Sequence, residues 1–396
     1  MDKLRKKNLF VEINNDKLLV AVGEYDEELN FKILDKKIFL PAGFQNGKIV
    51  NLEICGDDLK KIINEIENKS NIFFSDVNVI INHTNIDCIN VSGFKKLNGN
   101  QILSQDISYI LNDIKSKLVE TENCKSIIHL FNTKFLLDNK HIKNLPIGLY
   151  GDFYSHQLTF YMIHNNELKN LKALFNKCNL NLKKIILKSF TDGIKVINKK
   201  KNDTFIKIIF NKEDTQLMFF EDSSFSFFQK FNFGSDIILK DISKVCSLNL
   251  SNVRNIISNS NFKISDKNMY VDKHYFNQNE FRKISLKHII EISASRIEEI
   301  VNIVFNQNKN LYNGHSEEID VYFDFKDENI KHKFKDIFKS YFKKCKFNFD
   351  NSIDEDPFTS IKIFGELLSK GWTKEAIPVL TKKSSWISRI FSGLFE

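Results

Sequence analysis

Apolar runs of strand length, separated by polar turns, open the chain. Leu9–Ile13 and Leu18–Gly23 read as two strands around the polar turn Asn14-Asn15-Asp16, and Phe31–Phe39 reads as a third. From Asn51 to Glu67 the period changes: Leu52, Leu59, Ile62, Ile63 and Ile66 recur at helical spacing, so a helix is expected there. Val77–Asn82 then has the unbroken apolar character of a buried strand. A break is expected over His83–Asn98. It is followed by an amphipathic helix at Gln105–Leu118, strands at Lys125–Phe131 and Phe153–His164, a helix at Asn166–Cys178 and a short strand at Lys184–Lys188. The basic run Lys199-Lys200-Lys201 is placed in a solvated loop.

The opening motif recurs after that loop. Phe205–Phe210, Gln216–Phe220 and Phe225–Phe233 predict three more consecutive strands. Helices are predicted at Gly234–Cys246, Leu250–Ser258, Leu286–Val304, Ile330–Tyr341 and Pro357–Gly371, with a late strand at Ile319–Phe325. Two halves that begin alike imply an internally duplicated fold.

The last residues have a different character. Wound at roughly 100° per residue, Trp386, Ile387, Ile390, Phe391, Leu394 and Phe395 share one half of the circle. Ser388, Arg389, Ser392, Gly393 and Glu396 share the other. With Lys382 and Lys383 just upstream, this reads as an amphipathic helix lying in an anionic lipid surface. The competing reading is a terminal helix docked on its own domain. Six large apolar residues among the last eleven favour the membrane. So does the preceding stretch Lys370–Lys383, which is interrupted by Gly371 and Pro378 and reads as a tether.

Composition narrows the field. A hydrophobic share of 42% over 396 residues supports two to four compact units. No apolar run is long enough to span a bilayer. The charged start Met1–Lys7 is not followed by a signal core, so a cytoplasmic protein is expected. Six dispersed cysteines without a C-x-x-C pair fit reduced thiols rather than zinc ligands or a disulfide frame. The net charge of +8 is diffuse. It accompanies 37 Phe and many Lys, Asn and Ile, the residues of AT-rich codons, so no nucleic-acid partner is inferred. The nine histidines match no metal or catalytic spacing; no P-loop, G-x-S-x-G or H-E-x-x-H occurs.

The β-β-β-α-β order is that of the actin-like ATPase domain, and several local motifs resemble one family with that fold. Gly43-Phe44-Gln45-Asn46-Gly47-x-Ile49-Val50-Asn51 is similar to the family's entry into its first helix. Asn144-Leu145-Pro146-Ile147-Gly148-Leu149-x-Gly151 is similar to its N-P-x-G-L-x-G turn. Phe231-x-Phe233-Gly234-x-Asp236-Ile237, Ser295-Arg296-Ile297-Glu298-Glu299-Ile300 and Phe364-Gly365-Glu366-Leu367-Leu368 follow in the family's order. The whole resembles FtsA, the actin-like bacterial family that ties FtsZ polymers to the membrane.

The resemblance implies an α/β, actin-like ATPase fold of two duplicated mixed-sheet domains. A first domain would comprise 1–83 and 165–199, with an inserted, SHS2-like subdomain at 84–164. A second would comprise 200–231 and 318–370, with a peptide-binding subdomain at 232–317. A linker would follow at 371–383 and a membrane-targeting helix at 384–396. It further implies an adaptor on the cytoplasmic face of the inner membrane at the septum, which binds the FtsZ C-terminal peptide, anionic lipids, other division proteins and itself. Arg296, with Glu299, matches the family's motif where a basic residue meets the acidic peptide; the alternative is a surface ion pair. Two rival functions stay open: a PilM-like scaffold of a pilus or secretion assembly, and an ATP-hydrolysing member of the superfamily.

ATP with Mg is implied by the family, yet the phosphate turns depart from its pattern. Glycine lets backbone N–H groups approach phosphate closely. The first turn reads Glu12-Ile13-Asn14-Asn15 where the family has acid-Ile-Gly-Thr, and the second reads Ile209-Phe210-Asn211-Lys212-Glu213-Asp214 where it has Asp-Ile-Gly-Gly-Gly-Thr. The third, near Asp324-Phe325-Lys326, lacks glycine. Asn14, Asn15, Lys17, Asn211 and Lys212 stand at the family's nucleotide positions; Lys17 is equally a solvent-exposed turn residue. A degenerate site and no obligatory catalysis are the expectation.

Overall fold

In the computed structural model, residues 7–14, 17–45, 47–82, 85–259, 269–276, 281–311, 319–343, 345–350 and 356–375 are described. The chain divides into two compact units: Met1–Asp203 with Phe220–Ser226 and Glu355–Glu396, and Thr204–Phe219 with Phe227–Asp354.

Unit 1 opens with β1 (Asn8–Ile13), β2 (Leu18–Tyr25) and β3 (Phe31–Phe39). β1 and β2 pair antiparallel from Leu9↔Val22 to Ile13↔Leu18, and β2 pairs antiparallel with β3. Leu9 through Ile13 are all buried, so both faces of β1 are covered, which explains its near-continuous apolar sequence. A small hairpin, β4 (Phe44–Gln45) and β5 (Lys48–Ile49), leads to helix α1 (Leu52–Ser70). The Asn51 side chain caps α1 by accepting the Ile54 amide at 3.1 Å, and Asn71 ends it in the left-handed region. β6 (Asp76–Ile81) then runs parallel to β1.

A second sheet follows. It is made of β7 (Asp87–Lys96), β8 (Lys125–Leu137), β9 (Lys140–Ile142) and β10 (Phe153–His164), in the order β7-β10-β8-β9, with helix α2 (Ser104–Thr121) between β7 and β8. Ile107, Ile110, Leu111 and Ile114 of α2 share a buried cluster with Leu130, Leu158 and Phe160 of the sheet. At Gly93 a Cβ would lie 2.3 Å from Ile110, so the close approach of helix to strand requires glycine. The expected break at 83–98 is corrected here, since most of it is β7. As an edge strand with one covered face and a central glycine, β7 carries a weak alternation signal.

The chain returns to the first sheet through α3 (Asn165–Lys177) and β11 (Asn181–Leu187), which pairs parallel with β6 and completes the order β11-β6-β1-β2-β3. Helix α4 (Lys188–Lys200) comes next and corrects two expectations. Lys188 opens a helix rather than ending a strand. Lys199 and Lys200 form its last turn, where the helix dipole favours cations, with Lys201 as a left-handed cap, so the basic run is a helix end rather than a loop.

Unit 2 holds most of a second five-stranded sheet. β12 (Phe205–Phe210), β13 (Thr215–Glu221) and β14 (Ser224–Phe231) come first, and helices α5 (Ser235–Val245), α6 (Leu250–Asn259) and α7 (Leu286–Val301) follow. α7 continues into a π-helical turn at Asn302–Asn306. β15 (Ile319–Phe325) pairs parallel with β12. Helix α8 (Glu328–Tyr341) leads to β16 (Cys345–Asp350), a strand unforeseen in the sequence, which pairs parallel with β15. The order β16-β15-β12-β13-β14 repeats that of the first sheet: three sequential strands, then parallel strands added beyond the first of them. This duplicated α/β arrangement is the actin-like fold expected from the sequence.

The chain ends its described course in unit 1 with α9 (Thr359–Lys370), packed on α4 and β3. Phe364 on α9 meets Phe10 of β1 edge-on at 5.5 Å.

Candidate functional site

The first phosphate-turn position is closed by a partner that the sequence did not reveal. Glu12, near the end of β1, is fully buried. Its Oε1 accepts from the Lys188 ammonium at the start of α4 and from Asn14 Nδ2 at 2.8 Å, while Oε2 has no hydrogen-bond partner. Asn14 donates its amide to the Lys17 carbonyl at 3.0 Å, which holds the β1–β2 turn. Asn15 lies outside the described residues. Lysine therefore supplies the positive charge that this buried acid needs.

The second turn, between β12 and β13, is likewise tied to itself. Asn211 donates from Nδ2 to Asp214 Oδ1 at 2.8 Å, and Gln216 Nε2 donates to the same oxygen at 3.2 Å. The Asn211 and Lys212 carbonyls each accept an amide from the start of α5, Ser235 and Asp236, both at 2.9 Å. Helix N-terminal amides are a ready anion site when free; here the hairpin occupies them. A Cβ on Gly234 would sit 2.2 Å from the Asn211 carbonyl oxygen, so this glycine serves the contact between turn and helix. A cavity of about 190 Å³ opens beside Lys212, lined also by Asp236, Arg254, Asp327 and Asn329. Arg254 lies 3.6 Å from Asp236, so charge inside the cavity is largely balanced. At the third position the buried Asp324 carboxylate accepts from Lys326 at 2.8 Å. A phosphate cradle needs converging free N–H groups. The residues described at these turns do not fit one.

Arg296 and Glu299 sit together on α7. The Arg296 Nη1 donates to Glu299 at 2.5 Å, and its Nε pairs with Asp241 of α5. The hydrogen bond to Asp241 raises the guanidinium pKa still further. The guanidinium thus already bridges two carboxylates. An acidic peptide would add to this network or displace one member of it.

The stretch read as a tether needs correction at its start. Residues 371–375 are packed into unit 1 rather than hanging free. Trp372 donates from Nε1 to the Ser223 carbonyl at 2.8 Å and meets Phe190 edge-on at 6.1 Å. The Lys374 carbonyl accepts the Asn132 amide at 2.9 Å, and Glu375 forms an antiparallel bridge with Phe131 of β8. Glu375 is buried, and its Oε1 lies 2.5 Å from His129 Nδ1. His129 Nε2 accepts the Leu187 amide at 3.0 Å, so the proton sits on Nδ1 and is donated to Glu375. The sequence left His129 unassigned; its partner lies 246 residues away, a separation no local motif reports.

Beside this strap lies a cleft of about 680 Å³. Phe135, Leu145 and Ile147 give it apolar walls, and Lys143, Lys374, Asp203 and Asp222 bring charge to it. Burial pushes the Lys374 ammonium pKa down, and its Nζ rests 5.8 Å above the Phe135 ring. The basic and apolar residues of the expected foot (Lys382, Lys383, Trp386, Ile387, Arg389, Ile390, Phe391, Leu394 and Phe395) all lie outside the described residues. Among the described residues no helix is long and apolar enough to cross a membrane, and no cluster of three metal-ligating side chains occurs.

No protein-family model matches the chain. Curated relatives do. The chain is 24% identical to Cell division protein FtsA of Buchnera aphidicola subsp. Acyrthosiphon pisum over 314 residues, 78% of this chain and 74% of the relative. It is 25% identical to the protein of that name from Buchnera aphidicola subsp. Schizaphis graminum over 315 residues, again 78% and 74%. The Escherichia coli K12 protein of the same name is 21% identical over 206 residues, 52% of this chain and 48% of the relative. Solved structures are more distant. A chain of the PilM-PilN type IV pilus biogenesis complex aligns over 90% of both chains at 9% identity and TM-score 0.49. MreB5 of Spiroplasma citri bound to ADP aligns over 91% of this chain and 95% of that one at 10% identity and TM-score 0.43. The run of FtsA relatives over most of the sequence, on top of the duplicated strand order, makes this chain a divergent FtsA relative with an actin-like fold.

Proposed function

We propose that this protein is a cell-division adaptor that tethers FtsZ polymers to the cytoplasmic face of the inner membrane and assembles with itself and other division proteins. The observation that carries the reading is the continuous likeness to FtsA over 78% of the chain. Tethering requires a partner groove and a foot; it requires no bond-breaking chemistry. The self-satisfied turns at Glu12 and Asn211 support a role without obligatory nucleotide, with at most weak ATP hydrolysis. Unit 2, with Arg296 and Glu299 on α7, is the proposed seat of the FtsZ C-terminal peptide. Residues 384–396, with Lys382 and Lys383, are the proposed lipid contact.

The energetics favour a reversible anchor. Six large side chains contribute about 1–2 kcal/mol each on partial burial, and ordering the segment costs about 1 kcal/mol per residue. One foot binds weakly, and many feet on one polymer bind firmly through effective concentration. The test is flotation with vesicles containing phosphatidylglycerol, with and without FtsZ. Wild-type chain should float and carry FtsZ with it. Phe391→Asp, or truncation after Pro378, should leave both in the soluble fraction. Unchanged flotation of these variants overturns the anchor, and flotation of the chain without FtsZ overturns the adaptor role.

A further inference from the structure

We propose that the cleft beside the strap seats the chain's own C-terminal stripe, residues 384–396, when no membrane is at hand, so that the foot is stowed until lipid competes for it. The inference rests on the lipid-binding reading of that stripe and adds its off-membrane destination.

Three observations point to this occupant. The first is position. Thr373 and Lys374 line the cleft themselves, so the chain leaves its described course at the cleft wall. Residues 376–383 span at most about 26–29 Å when extended, and a helix over 384–396 would be about 20 Å long. The stripe therefore can reach the cleft and cannot stray far from it. The second is chemistry. Phe135, Leu145 and Ile147 offer an apolar wall to Trp386, Ile390 and Phe391, while Lys143 and Lys374 oppose Asp203 and Asp222 around it. The stripe carries matching charges of both signs, Arg389 on its polar face and Glu396 at its end. The third is size. At about 680 Å³ the cleft lies within the range of about 300–1,000 Å³ typical of ligand sites. It admits part of the stripe, not all of it, so the seat is shallow and lipid can empty it.

Covalent tethering makes the seating intramolecular, at an effective concentration that reaches the millimolar range for short flexible linkers. A weak contact therefore suffices to fill the cleft in solution. The stowed fraction lowers the apparent lipid affinity in proportion. A monomer would stay soluble, and only a membrane or an array of feet would draw the stripe out.

The test uses the full-length chain with Phe391 replaced by benzoylphenylalanine, irradiated with and without phosphatidylglycerol vesicles, and adducts mapped by mass spectrometry. Without lipid, adducts should fall on residues 143–147 or 373–374 within a single chain; with vesicles they should move to lipid. Asn144→Trp, which fills the cleft from an exposed position, should abolish the cleft adduct and tighten vesicle binding about threefold to tenfold. Ile147→Asp, which puts a charge on the apolar lining, should do the same, and agreement between the two excludes a folding defect as the cause. Absence of a cleft adduct in solution overturns the proposal, even where lipid adducts form and the anchor reading survives. Adducts between two chains overturn it in favour of a second copy as occupant. A cleft adduct that vesicles leave unchanged overturns the release of the stripe by lipid, and the anchor with it.

Discussion

Lys188 supplies the cation to a buried carboxylate whose other hydrogen-bond partner, Asn14, is neutral. Glu12 is fully buried, and removing its cation leaves an uncompensated charge inside the sheet. Lys188→Met is therefore expected to cost about 3–5 kcal/mol of stability. The double variant with Glu12→Gln should recover most of that loss, measured by urea denaturation; no recovery would mean that the lysine acts through packing. The departure from the family's pattern at Glu12–Asn15 was legible in the sequence. Its compensation was not, because Lys188 lies 176 positions away, at the start of a helix that the sequence reading did not foresee. A second buried group sets a pH dependence. His156 on β10 is fully buried, and burial pushes its imidazole pKa down to about 3. The unfolded chain binds a proton near the ordinary value of about 6.5, whereas the folded chain does not until about pH 3. Between these values the unfolded state holds the extra proton, so stability falls as the solution is acidified, by about 1 kcal/mol per pH unit. His156→Gln should flatten that slope between pH 6 and 4 in chemical denaturation, whatever its effect at neutral pH.

At the scale of elements, the strap 371–375 gives the clearest case of structure correcting sequence. Gly371 and Pro378 gave Lys370–Lys383 the composition of a linker, yet Trp372 and Glu375 have specific partners at Ser223 and His129. Isolated aromatic and acidic residues in a Gly- and Pro-bearing stretch carry no periodicity, so only tertiary contact reveals them. Trp372→Ala is expected to loosen the strap and to cost about 2 kcal/mol, less than a fully buried aromatic because the ring is half-buried. Hydrogen exchange provides the readout: the Asn132 amide, which donates to the Lys374 carbonyl, should lose protection while the amides of α1 keep theirs. Retained protection at Asn132 would show that the strap holds without the indole. Strand β7 failed for a related reason, since an edge strand with Gly93 at its centre lacks the two-sided apolar run that made β1 and β6 legible. Strands β1 and β2 had that run, and they, β10 and the alternating edge strand β3 were read almost residue for residue.

Across the whole molecule, the repeated β-β-β opening was the strongest signal, because three consecutive strands with short turns leave few alternatives for the sheet order. Both five-stranded sheets carry it out. The sequence also placed α5 and α7, and with them Arg296 and Glu299. It missed Asp241, which holds Arg296 from the neighbouring helix, because spacing within one helix says nothing about the next.

The bridge of Glu375 to Phe131 has a mechanical meaning. The end of the strap lies antiparallel to β8 at Phe131, with the Asn132 amide donating across to the Lys374 carbonyl. A pull on the tail along that axis loads these bonds in shear together with the Trp372 contact, rather than peeling them one at a time. Tension on the tail would therefore enter the molecule through the second sheet of unit 1, which makes that sheet the first part to bear such a load.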